Sequence, residues 1–145
     1  MLMLRNERPQ TAFEAKFSMQ FAMASALVAR RVGLAQLTDE FVRSAPVQGL
    51  IPRVTTTTTT ETLAGSAFAP SEMVEITTTD GRTLASEAII YAKGSKQRPL
   101  SQDELRAKFL DCLADDIAAT AGRSTFEKLM TLERLNGASD LLTLA

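Results

Sequence analysis

Few residues in this chain can do chemistry. Histidine is absent from all 145 residues, and cysteine occurs once, at Cys112. Imidazole is the side chain whose ordinary pKa lies near neutrality, so its loss removes the commonest general acid-base group and metal ligand. Ser-His and Cys-His nucleophile pairs are thereby excluded, and the composition argues against zinc or copper sites. No metal and no cofactor is expected. A lone cysteine forms no internal disulfide, and Cys112 falls on an apolar helical stripe with Leu105, Phe109 and Leu113, so an inert core thiol is expected. Asp111, Asp115 and Asp116 are close in sequence, but no third ligand or loop accompanies them, and they read as a solvated helix face. Arg30 and Arg31, and the basic loop of Lys93, Lys96 and Arg98, likewise read as solvated surface.

The elements that must position these groups announce themselves through capping boxes, in which a hydroxyl accepts a first-turn amide and a glutamate three residues on reaches back. Thr11/Glu14, Ser101/Glu104 and Ser124/Glu127 all fit that spacing. The first predicts a helix from Ala12 to Arg31 that stops near Gly33 and is apolar on nearly every face. A short helix should follow from Thr38 to Arg43, then a turn at Pro46. The stretch "GLIPRVTTTTTTET" reads as a strand, because threonine is β-branched, with a connecting loop over 64–70. "MVEITTTDGRTLASEAIIYA" predicts a β-hairpin with a two-residue type I′ turn at Asp80-Gly81, a second strand from Leu84 to Tyr91, and Val74 and Ile76 facing the core. Helices should follow Ser101 and Ser124, the first ending at Gly122 and carrying an i,i+4 pair between Glu104 and Lys108. The expected fold is α+β: one domain over 1–145, with a small antiparallel sheet packed against an N-terminal helix and C-terminal helices.

The formal net charge is −1 with both signs interspersed, so no electrostatic case exists for nucleic acid or an anionic membrane. "FSMQFAMASALVA" is too short and too interrupted to span a bilayer, and "MLMLRNERPQ" has its charges after its apolar cluster, the reverse of a signal peptide. A soluble cytoplasmic protein is expected.

Three segments carry a resemblance. "TAFEAKFSMQFAMASALVARRVGLAQLTDEFV" resembles the signature of the MmgE/PrpD family, in which Glu-Ala-Lys-Phe-Ser opens a buried helix. "VEITTTDGRTLASE" is similar to that family's hairpin, and "RPLSQDELRAKFLDCLA" to the helix start that follows it. The resemblance implies a C-terminal lid segment of a lyase or isomerase acting on di- or tricarboxylic acids. Full-length members join a large helical domain to a smaller α+β lid. Their activities include dehydration of methylcitrate-like acids, decarboxylation of cis-aconitate and epimerisation of iminodisuccinate. The family's bases are His, Asp and Lys from the helical domain, with a Lys and a His early in the lid. This sequence corresponds to a later stretch, and it has Gly94-Ser95-Lys96 where members carry a His-containing turn. The chain is therefore expected to hold no catalytic residue and to be inactive alone. By the same resemblance Lys16 and Ser18 are candidates for holding a substrate carboxylate, against a plainer role in helix entry and packing that is favoured. The rival reading is a non-catalytic interaction module that keeps the fold.

The apolar first helix has more apolar surface than a small sheet covers, and its partner is expected to be a helical catalytic domain on another chain or a second copy. Phe17, Met19, Met23 and Leu27 are the expected association surface. Sedimentation across a concentration series should show association. A clean monomer at high concentration, with those four side chains buried within one chain, would show that the fold covers the helix itself.

Overall fold

The computed structural model describes residues 4–63, 69–113, 117, 121–137 and 139–142. Its packing divides the chain into two units, Met1–Thr57 with Leu110–Gly122, and Thr58–Phe109 with Arg123–Ala145. The fold is α+β, as expected: helices with a two-stranded antiparallel sheet.

The first unit is built on a helix that breaks. Thr11 caps α1 (Ala12–Ala15), its hydroxyl accepting the Glu14 amide at 3.3 Å. The Glu14 carboxylate accepts from the Gln10 amide at 2.7 Å, one residue short of the reciprocal capping box. The continuous helix to Arg31 does not form, because Ser18 becomes a second N-cap and starts α2 (Met19–Ala29). Nor does the stop fall at glycine: Arg30 takes the left-handed conformation, with φ 56°. That conformation costs a non-glycine residue about 1–2 kcal/mol, and the Ser25 hydroxyl, donating to the Arg31 carbonyl at 2.8 Å, holds the turn that follows.

Thr38 caps α3 (Asp39–Arg43) as anticipated, accepting the Phe41 amide. Pro46 marks no turn. It lies in the first turn of α4 (Ala45–Leu50), where a missing amide hydrogen costs nothing. The strand expected over "GLIPRVTTTTTTET" is likewise absent. Its start completes α4 and a 3-10 turn, Ile51–Arg53, and Val54 to Leu63 has no regular structure. The threonines are exposed and pair with no neighbouring strand among the described residues, and β-propensity without a partner makes no sheet. Most of the loop expected over 64–70 lies outside the described residues. Phe21, Ala24, Val42, Val47 and Ile51 form the core with Ala15, and Phe41 meets the Phe21 ring edge-on at 6.2 Å.

In the second unit, β1 (Glu75–Thr77) pairs with β2 (Thr83–Ala85), Ile76 opposite Leu84. The turn is at Asp80-Gly81 but is not type I′. Gly81 alone there has positive φ, at 85°, its amide bonds the Thr78 carbonyl, and Thr78 donates to the Arg82 carbonyl. That is a three-residue connection closed by glycine. Ile76 is 36% exposed and Val74 half-buried, so the expected core face is only partly covered. The second strand stops early. After the Ser86 amide bonds the Val74 carbonyl, pairing resumes one residue out of step at Glu72 and Ile89, so one residue bulges out.

Ser101 and Glu104 form the complete reciprocal capping box of α5 (Gln102–Asp111), at 3.2 and 3.0 Å. Ser124 caps nothing, because residues 121 and 122 already form a π turn that runs into the helix Arg123–Leu129. Gly122 is buried within this turn rather than ending a helix, and a Cβ there would stand 2.7 Å from Leu110.

Two glycines should respond oppositely to alanine. Gly49 lies in α4 with open space where a Cβ would go, so Gly49→Ala should stabilise by about 0.5–1 kcal/mol. Gly81→Ala must place a side chain at positive φ and should cost about 1–2 kcal/mol. Urea unfolding of both variants checks the signs.

Candidate functional site

The break between α1 and α2 makes a recess of about 230 Å³, and both sequence-derived candidates line it. Lys16 and Ser18 share its wall with Leu4, Met19, Phe21 and Val32. The two candidates differ in what they can offer. Ser18 is 3% exposed, and its oxygen accepts the Phe21 amide at 3.1 Å, so only its hydroxyl proton remains to give. Lys16 is exposed and makes no ion pair among the described residues. The recess is otherwise walled by hydrocarbon, so one cation at an apolar rim is what the site presents. Such a site can meet a carboxylate through Lys16, and it contains no histidine or carboxylate to act as a base.

Elements beyond the helix break hold it in place. Asp39, in the first turn of α3, accepts the Ala12 amide at 2.8 Å and so ties the start of α1. Gln48 of α4 donates to the carbonyls of Pro9 and Val42. Neither tie to the region of α1 is visible in local spacing, since the partners are 27 and 39 residues apart.

The four residues of the expected association surface do not share one environment. Phe17 and Leu27 are 43% and 40% exposed, whereas Met19 and Met23 are partly buried. Phe13, which was not among them, is the most exposed large apolar residue described, at 72%, and stacks edge-on with Phe17 at 5.7 Å. Its place in a buried-looking pattern concealed it.

The other sequence candidates lie elsewhere. Cys112 is exposed rather than a core thiol, because the expected stripe with Leu105 and Phe109 is only half covered. Asp111 is not a free solvated carboxylate: it pairs with Arg31 at 2.7 Å. Asp115 and Asp116 lie outside the described residues. Glu104 pairs with Lys93 of the basic loop and not with Lys108. A second groove, larger at about 610 Å³ and more open, is lined by Ser86 to Tyr91 with Gln97 and Arg98. No group of three or more potential metal-binding residues occurs among the described residues. Among them, no helix is long and apolar enough to cross a membrane.

A family model described as the MmgE/PrpD C-terminal domain matches residues 2–131. No curated protein matches the chain.

The Glu104 carboxyl lies below the ordinary glutamate value, chiefly through its bond to Lys93 and then through the Ser101 amide. A carboxyl lowered by folding stabilises fully above its unfolded pKa and loses that contribution as pH falls through the folded value. The first turn of α5 should therefore loosen in acid below the ordinary glutamate range. An NMR titration of the Glu104 carboxyl, with amide exchange at Ser101, reads this directly. Glu104→Gln should flatten the response.

Proposed function

Because the chain belongs to the MmgE/PrpD family, through its C-terminal domain, we propose that it is the lid segment of a cytoplasmic lyase or isomerase acting on di- or tricarboxylic acids. The observation that carries this reading is the family match over 2–131, joined to the fact that the motif Glu14-Ala15-Lys16-Phe17-Ser18 forms the helix break and the recess. The family's chemistry removes a proton next to a carboxylate, and the negative charge that develops needs a fixed cation or dipole. Lys16 supplies a cation. Ser18 acts mainly by capping α2 and so holds Lys16 at the rim.

In this reading Lys16 stays the cation and the base comes from outside these 145 residues, which hold no histidine, while the recess holds no carboxylate. In this reading a helical domain supplies it and covers the apolar surface around Phe13 and Phe17. The exposure of those two rings also fits the second reading, an interaction or self-association module. The two readings part over turnover once a helical domain is present.

The purified chain should not turn over 2-methylcitrate, cis-aconitate or iminodisuccinate. With the family's helical domain from the same genome added, activity should appear. Lys16→Ala in that mixture should lower kcat/KM by about 10- to 100-fold, the effect of losing one charged hydrogen bond. Turnover by the chain alone, abolished by a mutation within it, would overturn the assignment of the base. Binding of the helical domain without any turnover would favour the interaction module.

A further inference from the structure

We propose that the threonine run is a pairing strand for a second copy of this chain, antiparallel and centred on Thr57. Six consecutive threonines, Thr55–Thr60, are all exposed and have no regular structure. None of their amides or carbonyls bonds another described residue. Threonine is β-branched and suits a pleated strand, and the run holds no charge, proline or glycine to oppose pairing. What it lacks is a neighbouring strand among the described residues. A second chain can supply one through backbone hydrogen bonds.

The charges that flank the run choose both the partner and the direction. Arg53 and Glu61 are exposed, and neither makes an ion pair among the described residues. When two identical runs pair antiparallel about Thr57, Thr55 lies opposite Thr59 and Thr56 opposite Thr58. Arg53 of each copy then comes to the end where Glu61 of the other lies. Parallel pairing would set like charges together at both ends, which is unfavourable. The segment is thus complementary to itself, and that is why a second copy fits it. Threonine on both faces makes neighbouring registers equal in packing, so the end charges must fix the register. The chain bends at Thr60, where the Glu61 amide donates to the Thr59 hydroxyl at 3.0 Å. The ladder therefore runs from Thr55 to Thr59, with the charged side chains acting from just beyond it. Two strands alone pair marginally in water, so the association is weak and depends on concentration. It uses neither the recess nor the function proposed above.

Sedimentation equilibrium of the full chain up to about 1 mM tests the pairing, since an affinity of that order populates the dimer appreciably there. The average mass should rise with concentration. Arg53→Glu sets a carboxylate against Glu61 of the other copy at both ends and should weaken association about 10-fold. Arg53→Glu combined with Glu61→Arg should restore it. Thr57→Pro removes the central backbone donor and should abolish it, with the amide signals of Phe21 and Phe126 unmoved as evidence that the chain still folds. A monomer throughout the range would overturn the proposal. So would association that survives Thr57→Pro, as pairing through the apolar helix surface would, or a charge exchange that restores nothing. If Thr57→Pro does not fold, the charge variants decide alone.

Discussion

Ser18 Oγ accepts the Phe21 amide at 3.1 Å, and that bond fixes where α2 begins. Energetically it is small: an N-cap is worth about 1 kcal/mol. Burying Phe21, which is 1% exposed, is worth about 1.5–3 kcal/mol. Burial contributes more, but it is non-directional and would accept several helix registers. The cap is directional. It sets the turn at which Phe21, Ala24 and Ser25 point inward and leaves Lys16 and Phe17 on the other side of the break, in solvent. The break and the recess beside it follow from it.

The second unit is held differently. Its strands are exposed along their length, so the hairpin is maintained by backbone pairing and by the Asp80 carboxylate, which bonds Thr78 and Arg82. Around α5 the fixed point is Arg106. Its guanidinium bonds Asp103 and Glu127 and lies 5.3 Å from the Phe126 ring centroid, while Phe109 packs on the same ring at 5.6 Å. Isolated surface ion pairs contribute little. Here two carboxylates and a ring share one guanidinium whose side chain is 26% exposed, so the ordering cost is met once for several contacts.

The recess is chemically one-sided. A di- or tricarboxylate carries more negative charge than a single lysine can match, and hydrocarbon walls penalise whatever charge is left unpaired. On the function proposed above, such a substrate would need further cations and a base from a partner surface. On that same function, a chain without histidine would contribute an apolar recess and one charge.

What the sequence alone determined was local. Capping hydroxyls fixed the starts of α1, α3 and α5, glycine with its tolerance of positive φ fixed the hairpin tip, and the Glu-Ala-Lys-Phe-Ser motif pointed to the family and to Lys16 and Ser18. These are signals in which cause and effect lie within about one helical turn of each other. Wherever two starts competed, the sequence misled. Ser18 looked like the interior of a helix already capped by Thr11, and Ser124 looked like a start although the helix was under way. Tertiary structure settled what depends on distant partners. The threonine run is no strand because no strand lies beside it among the described residues, Glu104 chooses Lys93 over Lys108, and Cys112 is left exposed. Asn6 bonds carbonyls 8 and 11 positions away, and the farther one, of Phe17, lacks a helical donor because the Phe21 amide went to Ser18. Propensity says what a residue tolerates, and only packing says which partner is there to be met.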